Sequence, residues 1–257
     1  MTRTAFFDPS RPRVLAHRGL ALDVPENTPL AFARALAAGA AYLETDVHAS
    51  ADGVAVVAHD ADLSRIAGRE ERVGRLTAAE LAAIDLGAGE GLLPLADLLA
   101  AFPGARFNVD VKDPLAAAPA AEAIRAADAI ERVLVTSFSG ARRRATAALL
   151  PGVATSASVG PFVRALLAGK AGFGPGVRAA LRGLDAVQIP ERALGMSTVT
   201  RRVVRAFHAA GVEVHVWTVN SPERMAELFE VGVDGVVTDR VDLGLPVAAR
   251  YTAENPL

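Results

Sequence analysis

Four side chains near the start of the chain carry the chemistry most plainly: His17 in LAHRG, Glu44 and Asp46 in LETDV, and His59 in VAHD. Alternate residues of a strand face the same side, so Glu44 and Asp46 point together. Two carboxylates side by side repel, and each is costly to bury unless a cation joins them. Histidine has an ordinary pKa of about 6.5 and can take or give a proton near neutrality. A hard cation held by oxygen, with a histidine on either side of a phosphorus atom, is apparatus for cleaving a phosphate ester.

Further along, Asn108, Asp110 and Lys112 alternate in NVDVK. Glu44, Asp46 and Asp110 would make a three-carboxylate site, whose oxygen ligands without sulfur favour Mg2+, Ca2+ or Mn2+ over zinc. The competing arrangement is a salt-bridge network in which the acids pair with Arg18 and Lys112. Arg18 can fork onto a phosphate oxygen or serve as a buried partner for an acid, and Lys112 can add a second positive charge at a phosphate. Asp60 and Asp62 are expected to be loop or cap residues rather than ligands. Glu213, His215 and Trp217 alternate in VEVHVW. His48 and His215 are expected to support by hydrogen bonding, and His208 reads as helix surface. Trp217, the sole tryptophan, fits either the core or a wall facing substrate.

These residues need elements to hold them. Short β-branched runs occupy Val14–His17, Ala41–His48, Arg106–Val111, Val133–Thr136, Val153–Ser156, Ala186–Ile189, Val212–Thr218 and Gly235–Thr238. Helical stretches rich in Ala, Leu and Arg follow at Thr28–Ala38, Thr77–Ile84 with Leu95–Ala101, Ala116–Ala127, Gly140–Leu149, Pro161–Ala168, Val199–Ala210 and Pro222–Glu230, with a short tail after Arg240. Strand and helix alternating in this way predict an α/β fold, a (β/α)8 TIM-type barrel with a short insertion after its second strand. No glycine-rich dinucleotide fingerprint supports the alternative, a doubly wound open sheet. Thr28-Pro29 and Ser221-Pro222 are helix starts, and Gly39, Gly211 and Gly232 fall where helices should end. The segment GKAGFGPG (169–176) reads as a mobile loop between the fifth and sixth strands. In a barrel of this kind the catalytic groups sit at the C-terminal strand ends, which is where the histidines and carboxylates fall.

The bulk composition limits the alternatives. The 257 residues, 51% of them hydrophobic, are expected to fold as one domain over 1–257 with a sizeable core. A net charge of -2 gives no support for a nucleic-acid surface. The absence of cysteine excludes disulfides and thiolate metal sites. MTRTAFFDPSRPR lacks the apolar core of a signal peptide, and no apolar run reaches the roughly 18 residues of a membrane span. A cytoplasmic protein is the expectation. No heptad or conspicuous apolar helix face announces an oligomeric partner.

The motifs together resemble one family. LAHRG (15–19), PENTPLAFARALAAG (25–39), LETDVHASADGVAVVAHDADLSRIAG (43–68), LLPLADLLA (92–100), NVDVK (108–112), TSFS (136–139), VHVWTVN (214–220) and GVDGVVTDR (232–240) are similar, in this order, to the glycerophosphodiester phosphodiesterases. The resemblance implies a TIM-type barrel, a divalent metal (usually Mg2+ or Ca2+) and hydrolysis of glycerophosphodiesters to glycerol 3-phosphate and an alcohol. By position it implies His17 and His59 as the acid–base pair and Glu44, Asp46 and Asp110 as metal ligands. Arg18 and Lys112 would contact phosphate; Trp217, from its place in the strand rather than from the resemblance, is counted with them as a substrate-binding candidate. The family usually has glutamate where this chain has Asp110. The insertion after His59 is short, ending near Leu93-Pro94, and suggests an open pocket for a small polar head group. Two rivals stand beside this reading. A barrel phospholipase acting on lipid would need an apolar rim, for which Phe162 and the 171–176 segment are candidates. A non-catalytic phosphodiester-binding barrel would have no need of both histidines.

Overall fold

A computed structural model describes residues 4–253. Eight parallel strands, β1 Arg13–His17, β2 Tyr42–Ala49, β3 Arg106–Val111, β4 Val133–Thr136, β5 Ala154–Thr155, β6 Ala186–Pro190, β7 Glu213–Trp217 and β8 Gly235–Thr238, line up in the order β5-β4-β3-β2-β1-β8-β7-β6. A parallel bridge between Ser156 and Ala186 brings the two ends of that row together. The chain is therefore a nearly closed (β/α)8 barrel, as the alternation of strands and helices predicts.

Strand alternation sorts the residues. Leu43 and Val47 of β2, Phe107, Val109 and Val111 of β3, and Val214 and Val216 of β7 pack outward into the main core beneath the helices. Their neighbours Tyr42, Glu44 and Asp46, then Asn108 and Asp110, then Glu213, His215 and Trp217, take the opposite face. The helices are punctuated as the sequence signals. The Thr28 hydroxyl accepts from the Ala31 N–H ahead of Pro29–Ala37, and the Ser221 hydroxyl accepts from the Arg224 N–H ahead of Pro222–Val231.

The barrel floor is apolar with one ionic knot. Phe6 and Phe7, from the short turn Ala5–Phe7, pack with Leu15, Tyr42, Leu134 and Val237 inside the barrel. Arg13 donates to Glu213 through Nε (2.9 Å) and Nη2 (3.0 Å), and to the Tyr42 hydroxyl (2.7 Å). Burial works to raise the Glu213 carboxyl, but hydrogen bonds from His215 and Arg13 outweigh it and hold the group well below the usual carboxylate range. Burial pushes the Tyr42 phenol up to about 12. Glu213 and His215 thus belong to the floor. His215 is fully buried, donates to Glu213 at 3.1 Å and supports by hydrogen bonding, as expected of it.

Between β2 and β3 the chain first adds a short antiparallel strand, Ala55–Val57, to β2. It then builds a small core of its own from Val56, Ala58, Leu63, Val73, Leu81, Ile84 and Leu92. The helix expected over 77–84 is shorter, Ala78–Ala82, because Thr77 is its cap and shares a capping box with Glu80.

One further expectation is corrected. Residues 169–176 are not a loop between strands. The helix Val159–Ala171 runs through Lys170, Gly172 ends it in the left-handed conformation, and Gly174–Ala180 starts a second helix with Pro175 in its first turn. The helical tail expected after Arg240 is Val241–Ala253. His208 ends the helix Arg201–His208 on its exposed side, as expected, with its Nε2 2.7 Å from Asp234 Oδ2. Among the described residues no helix is long and apolar enough to cross a membrane.

Candidate active site

The C-terminal strand ends gather the predicted residues around one cavity of about 390 Å3, lined by His17, Arg18, Glu44, Asp46, His59, Asp110, Lys112 and Trp217 among others. β1 ends at His17, and the chain must turn at once. Gly19 makes that turn at φ +88°, where a Cβ would lie 2.6 Å from the Ala31 carbonyl carbon. The turn leaves the Arg18 N–H donating to Glu44 Oε2 at 3.2 Å. β2 supplies Glu44 and Asp46, β3 supplies Asp110, and Lys112 follows directly after β3. His59 follows the short strand paired to β2.

Each catalytic candidate histidine has a carboxylate behind it. His17 Nδ1 lies 2.7 Å from Asp239 Oδ1, and His59 Nδ1 lies 2.7 Å from Asp60 Oδ1. A carboxylate can only accept, so Nδ1 carries the proton in both rings and Nε2 is left for the cavity. Asp239 is fixed in turn by Asn220, whose Nδ2 donates to its other oxygen at 2.8 Å. The Asp239 carboxyl is held below its usual range, chiefly by the His17 hydrogen bond. Asp60 is not a ligand candidate, as expected, but it does more than cap. Burial raises its carboxyl, while His59 and Arg65 outweigh that and lower it.

Asp239, Asn220, Glu26 and Arg65 escape sequence reasoning. Arg65 donates to Asp60 Oδ2 (2.6 Å) and to Glu26 Oε1 (2.6 Å), and Arg18 donates to the same Glu26 oxygen (3.0 Å). Arg18 also pairs with Asp46 Oδ2 at 3.2 Å. The His59 side of the mouth is thereby tied to the Arg18 side through one ion-pair chain. The available signals were the acid beside His59 and the TDR run after β8, both of which also suit helix or turn caps.

The carboxylates are packed against each other. Burial raises the Glu44 carboxyl well above its usual range, and the charges of Asp46 and Asp110 push it further. Asp110 is raised too, mainly by burial, with Lys112 opposing. Lys112 Nζ bridges Asp46 Oδ1 (2.9 Å) and Asp110 Oδ2 (2.7 Å). The salt-bridge network weighed against the metal site is therefore the arrangement seen. No three histidine or carboxylate side chains among the described residues converge closely enough to hold an ion as they stand. The donor set nevertheless fits a hard cation: Asp110 Oδ1 is buried without a hydrogen-bond partner, and burial pushes the Glu44 and Asp110 carboxyls upward, with neighbouring carboxylates adding to it.

His48 lies to one side, its Nε2 donating to the His59 carbonyl at 3.1 Å, so it supports the strand pair that carries His59. Trp217 lies between the floor and the cavity. It packs on the floor cluster, lines the cavity and meets Phe138 at 5.7 Å between ring centroids.

Fold and site together define a TIM-type barrel with paired histidines and clustered carboxylates at its mouth. Residues 17–243 match the model of the glycerophosphoryl diester phosphodiesterase family, and the chain belongs to that family. It is 42% identical to the probable glycerophosphodiester phosphodiesterase 2 of Mycobacterium tuberculosis, over 89% of this chain and 88% of that one. A solved structure from Silicibacter pomeroyi shares the fold with a TM-score of 0.80 at 25% identity, covering 95% of this chain and 97% of that one. An Oleispira antarctica phosphodiesterase, solved in complex with the product sn-glycerol-3-phosphate, shares it with a TM-score of 0.75 at 22% identity, covering 92% and 96%.

Proposed function

We propose that this chain hydrolyses glycerophosphodiesters to glycerol 3-phosphate and an alcohol, using a divalent cation. The observation that carries this is the pair of histidines on one cavity, each with Nδ1 engaged by a carboxylate and Nε2 left for substrate. Membership of the family and the product seen in the Oleispira protein support the same chemistry.

In this mechanism Arg18 and Lys112 contact the non-bridging phosphate oxygens. Glu44, Asp46 and Asp110 would hold the cation, which would supply Lewis-acid polarisation of the phosphoryl group, and Lys112, which bridges the two aspartates, lies beside them to contact phosphate. One histidine takes the proton from the nucleophile at Nε2 as the new O–P bond forms; the nucleophile is water, or the glycerol 2-hydroxyl followed by a second step in which water opens the resulting cyclic phosphate. The other, as the imidazolium, gives its Nε2 proton to the departing alcohol oxygen as the old P–O bond breaks. Asp239 and Asp60 keep each ring in the tautomer and orientation these transfers need.

The test is glycerol 3-phosphate release from a panel of glycerophosphodiesters by EDTA-stripped protein, with Mg2+, Ca2+ or Mn2+ added back. Release restored by metal is expected. Folded protein that releases none with any pairing refutes the proposal.

A further inference from the structure

The charged groups occupy one side of the mouth only. His17, Arg18, Glu44, Asp46, Asp110 and Lys112 come from β1 to β3 and the residues just after them. The facing wall comes from β7 and the segments that follow β4, β5 and β6, and it presents Phe138, Val159, Phe162, Val163, Leu194 and Trp217. No lining residue of that wall carries a charge.

This wall is open to solvent where an ordinary core would be closed. Phe138 is 53% exposed, Val159 49% and Leu194 64%, with Leu194 at the tip of a small hairpin formed by Arg192–Ala193 and Met196–Ser197. Single exposed apolar residues need no explanation, but three adjoining one cavity do. Three of the eight large exposed hydrophobics among the described residues therefore line this one cavity. The short insertion leaves the pocket open, as expected, yet the opening is apolar rather than suited to a small polar head group.

A polyol has little to bond with on this wall. Ser137 Oγ already donates to the Val111 carbonyl (2.7 Å), and Gln188 donates to Asn108 (3.1 Å). An ammonium group would find no carboxylate there. One polar atom stands apart: Ser158 lines the cavity, is 1% exposed, and its Oγ has no hydrogen-bond partner. A lone hydroxyl donor set among apolar side chains suits the carbonyl of an ester joined to a hydrocarbon chain. The wall also begins where the phosphate-binding charges end, since Lys112 Nζ sits 5.6 Å from the Phe138 ring centroid.

We infer that this wall is a subsite for one acyl chain, and that the substrate class is a phosphodiester whose glycerol carries a single acyl ester. The inference rests on the hydrolysis proposed above. The reaction is otherwise the same: an O–P bond forms from water, the P–O bond to the alcohol breaks, and the two protons pass through the two histidines. The products are an acylglycerol phosphate and the free alcohol. The chain emerges across Val159 and Leu194, whose exposure it covers.

The experiment measures choline release by the metal-supplied protein from glycerophosphocholine and its 1-butanoyl, 1-hexanoyl and 1-octanoyl derivatives, each below its critical micelle concentration. A methylene taken fully into the wall raises kcat/KM about fourfold, the ratio equivalent to ~0.8 kcal/mol. Partial burial still gives a rise of at least about tenfold from the unacylated compound to the octanoyl one. Leu194→Asp and Phe138→Ser should each reduce the octanoyl-to-unacylated ratio at least about fivefold, and both change exposed side chains that the fold does not need. A flat or falling series, with glycerophosphocholine still cleaved, overturns the subsite and leaves the proposed hydrolysis standing. A rising series whose ratio neither variant alters also overturns it. No choline from any member, by folded protein, overturns the inferred substrate class, whereas the hydrolysis itself falls only if the full glycerophosphodiester panel gives no glycerol 3-phosphate.

Discussion

Asp239→Asn should disable His17 by reversing its tautomer. Asn220 Oδ1 accepts from the Thr238 hydroxyl (3.0 Å) and from the Asp239 N–H (2.9 Å), so its Nδ2 must face the Asp239 carboxylate. An amide placed at 239 has to turn its oxygen to that Nδ2 and its NH2 to His17 Nδ1. His17 then carries its proton on Nε2, can no longer accept one there, and is also disfavoured as imidazolium. A hydrogen bond to a charged acceptor contributes roughly 1.5–3 kcal/mol, and Asp239, half exposed, belongs at the lower end because solvent screens it. That corresponds to a loss of about tenfold or more in kcat. KM should change little. The double variant Asp239→Asn with Asn220→Asp restores an acceptor for the new amide and should recover much of the loss. The assay is steady-state hydrolysis of glycerophosphocholine, with 15N spectra of the imidazole to read the tautomer. An Asp239→Asn protein within twofold of native kcat, or a double variant no better than the single, would refute the reasoning.

Other perturbations follow from the same geometry. His17→Ala and His59→Ala should each lower turnover at least about a hundredfold with circular dichroism unchanged; near-normal turnover removes that residue from the mechanism. Gly19→Ala puts a Cβ 2.6 Å from the Ala31 carbonyl carbon at φ +88°. It should cost roughly 1–3 kcal/mol, seen as a fall in Tm of about 2–4 °C for each kcal/mol. The Glu213 carboxyl, ordinarily near 4.5, is held down in the folded protein by His215 and Arg13 against the upward push of burial. A lowered carboxyl stabilises the fold above its unfolded value, and that contribution is lost as pH falls below 4.5 toward the folded value. Urea unfolding across that range should show stability falling with pH, and Glu213→Gln should give a shallower fall; equal slopes would show that the Glu213 carboxyl does not drive it.

Much of this architecture could be read from residue order because it depends on local periodicity. Alternation along β2 and β3 put Glu44, Asp46, Asn108 and Asp110 on one face, and Thr28-Pro29 and Ser221-Pro222 marked helix starts by short-range chemistry. Long-range pairings were out of reach. Arg13 and Glu213 are 200 residues apart and meet only because β1 and β7 flank β8. Asp239 behind His17 is 222 residues away, and an acid ahead of a helix looks the same whether or not a histidine leans on it. The 169–176 segment misled because its glycines and proline signal a break without saying what it separates. Here they end one helix and begin another. The apolar wall was invisible for a similar reason, since Phe138, Val159 and Leu194 come from three separate segments, after β4, at a helix start after β5 and in the hairpin after β6.

The ring of strands has one thin joint. β5 and β6 meet through the Ser156–Ala186 bridge, with the Ala157 N–H donating to the Ala186 carbonyl and the Asp185 N–H to the Thr155 carbonyl, both at 2.9 Å. In the middle of the row, beside β1 and β8, the N- and C-terminal segments lie together, where the Thr252 hydroxyl donates to the Arg11 carbonyl at 3.4 Å. The topology therefore suits circular permutation. A linker joining the present termini, with new ends cut in the exposed Pro151-Gly152 turn, leaves both histidines, all three carboxylates and every regular strand pair within one uninterrupted polypeptide. Such a permutant would begin with β5 and end beyond β4, so its first strand would be the one that meets β6 across the joint.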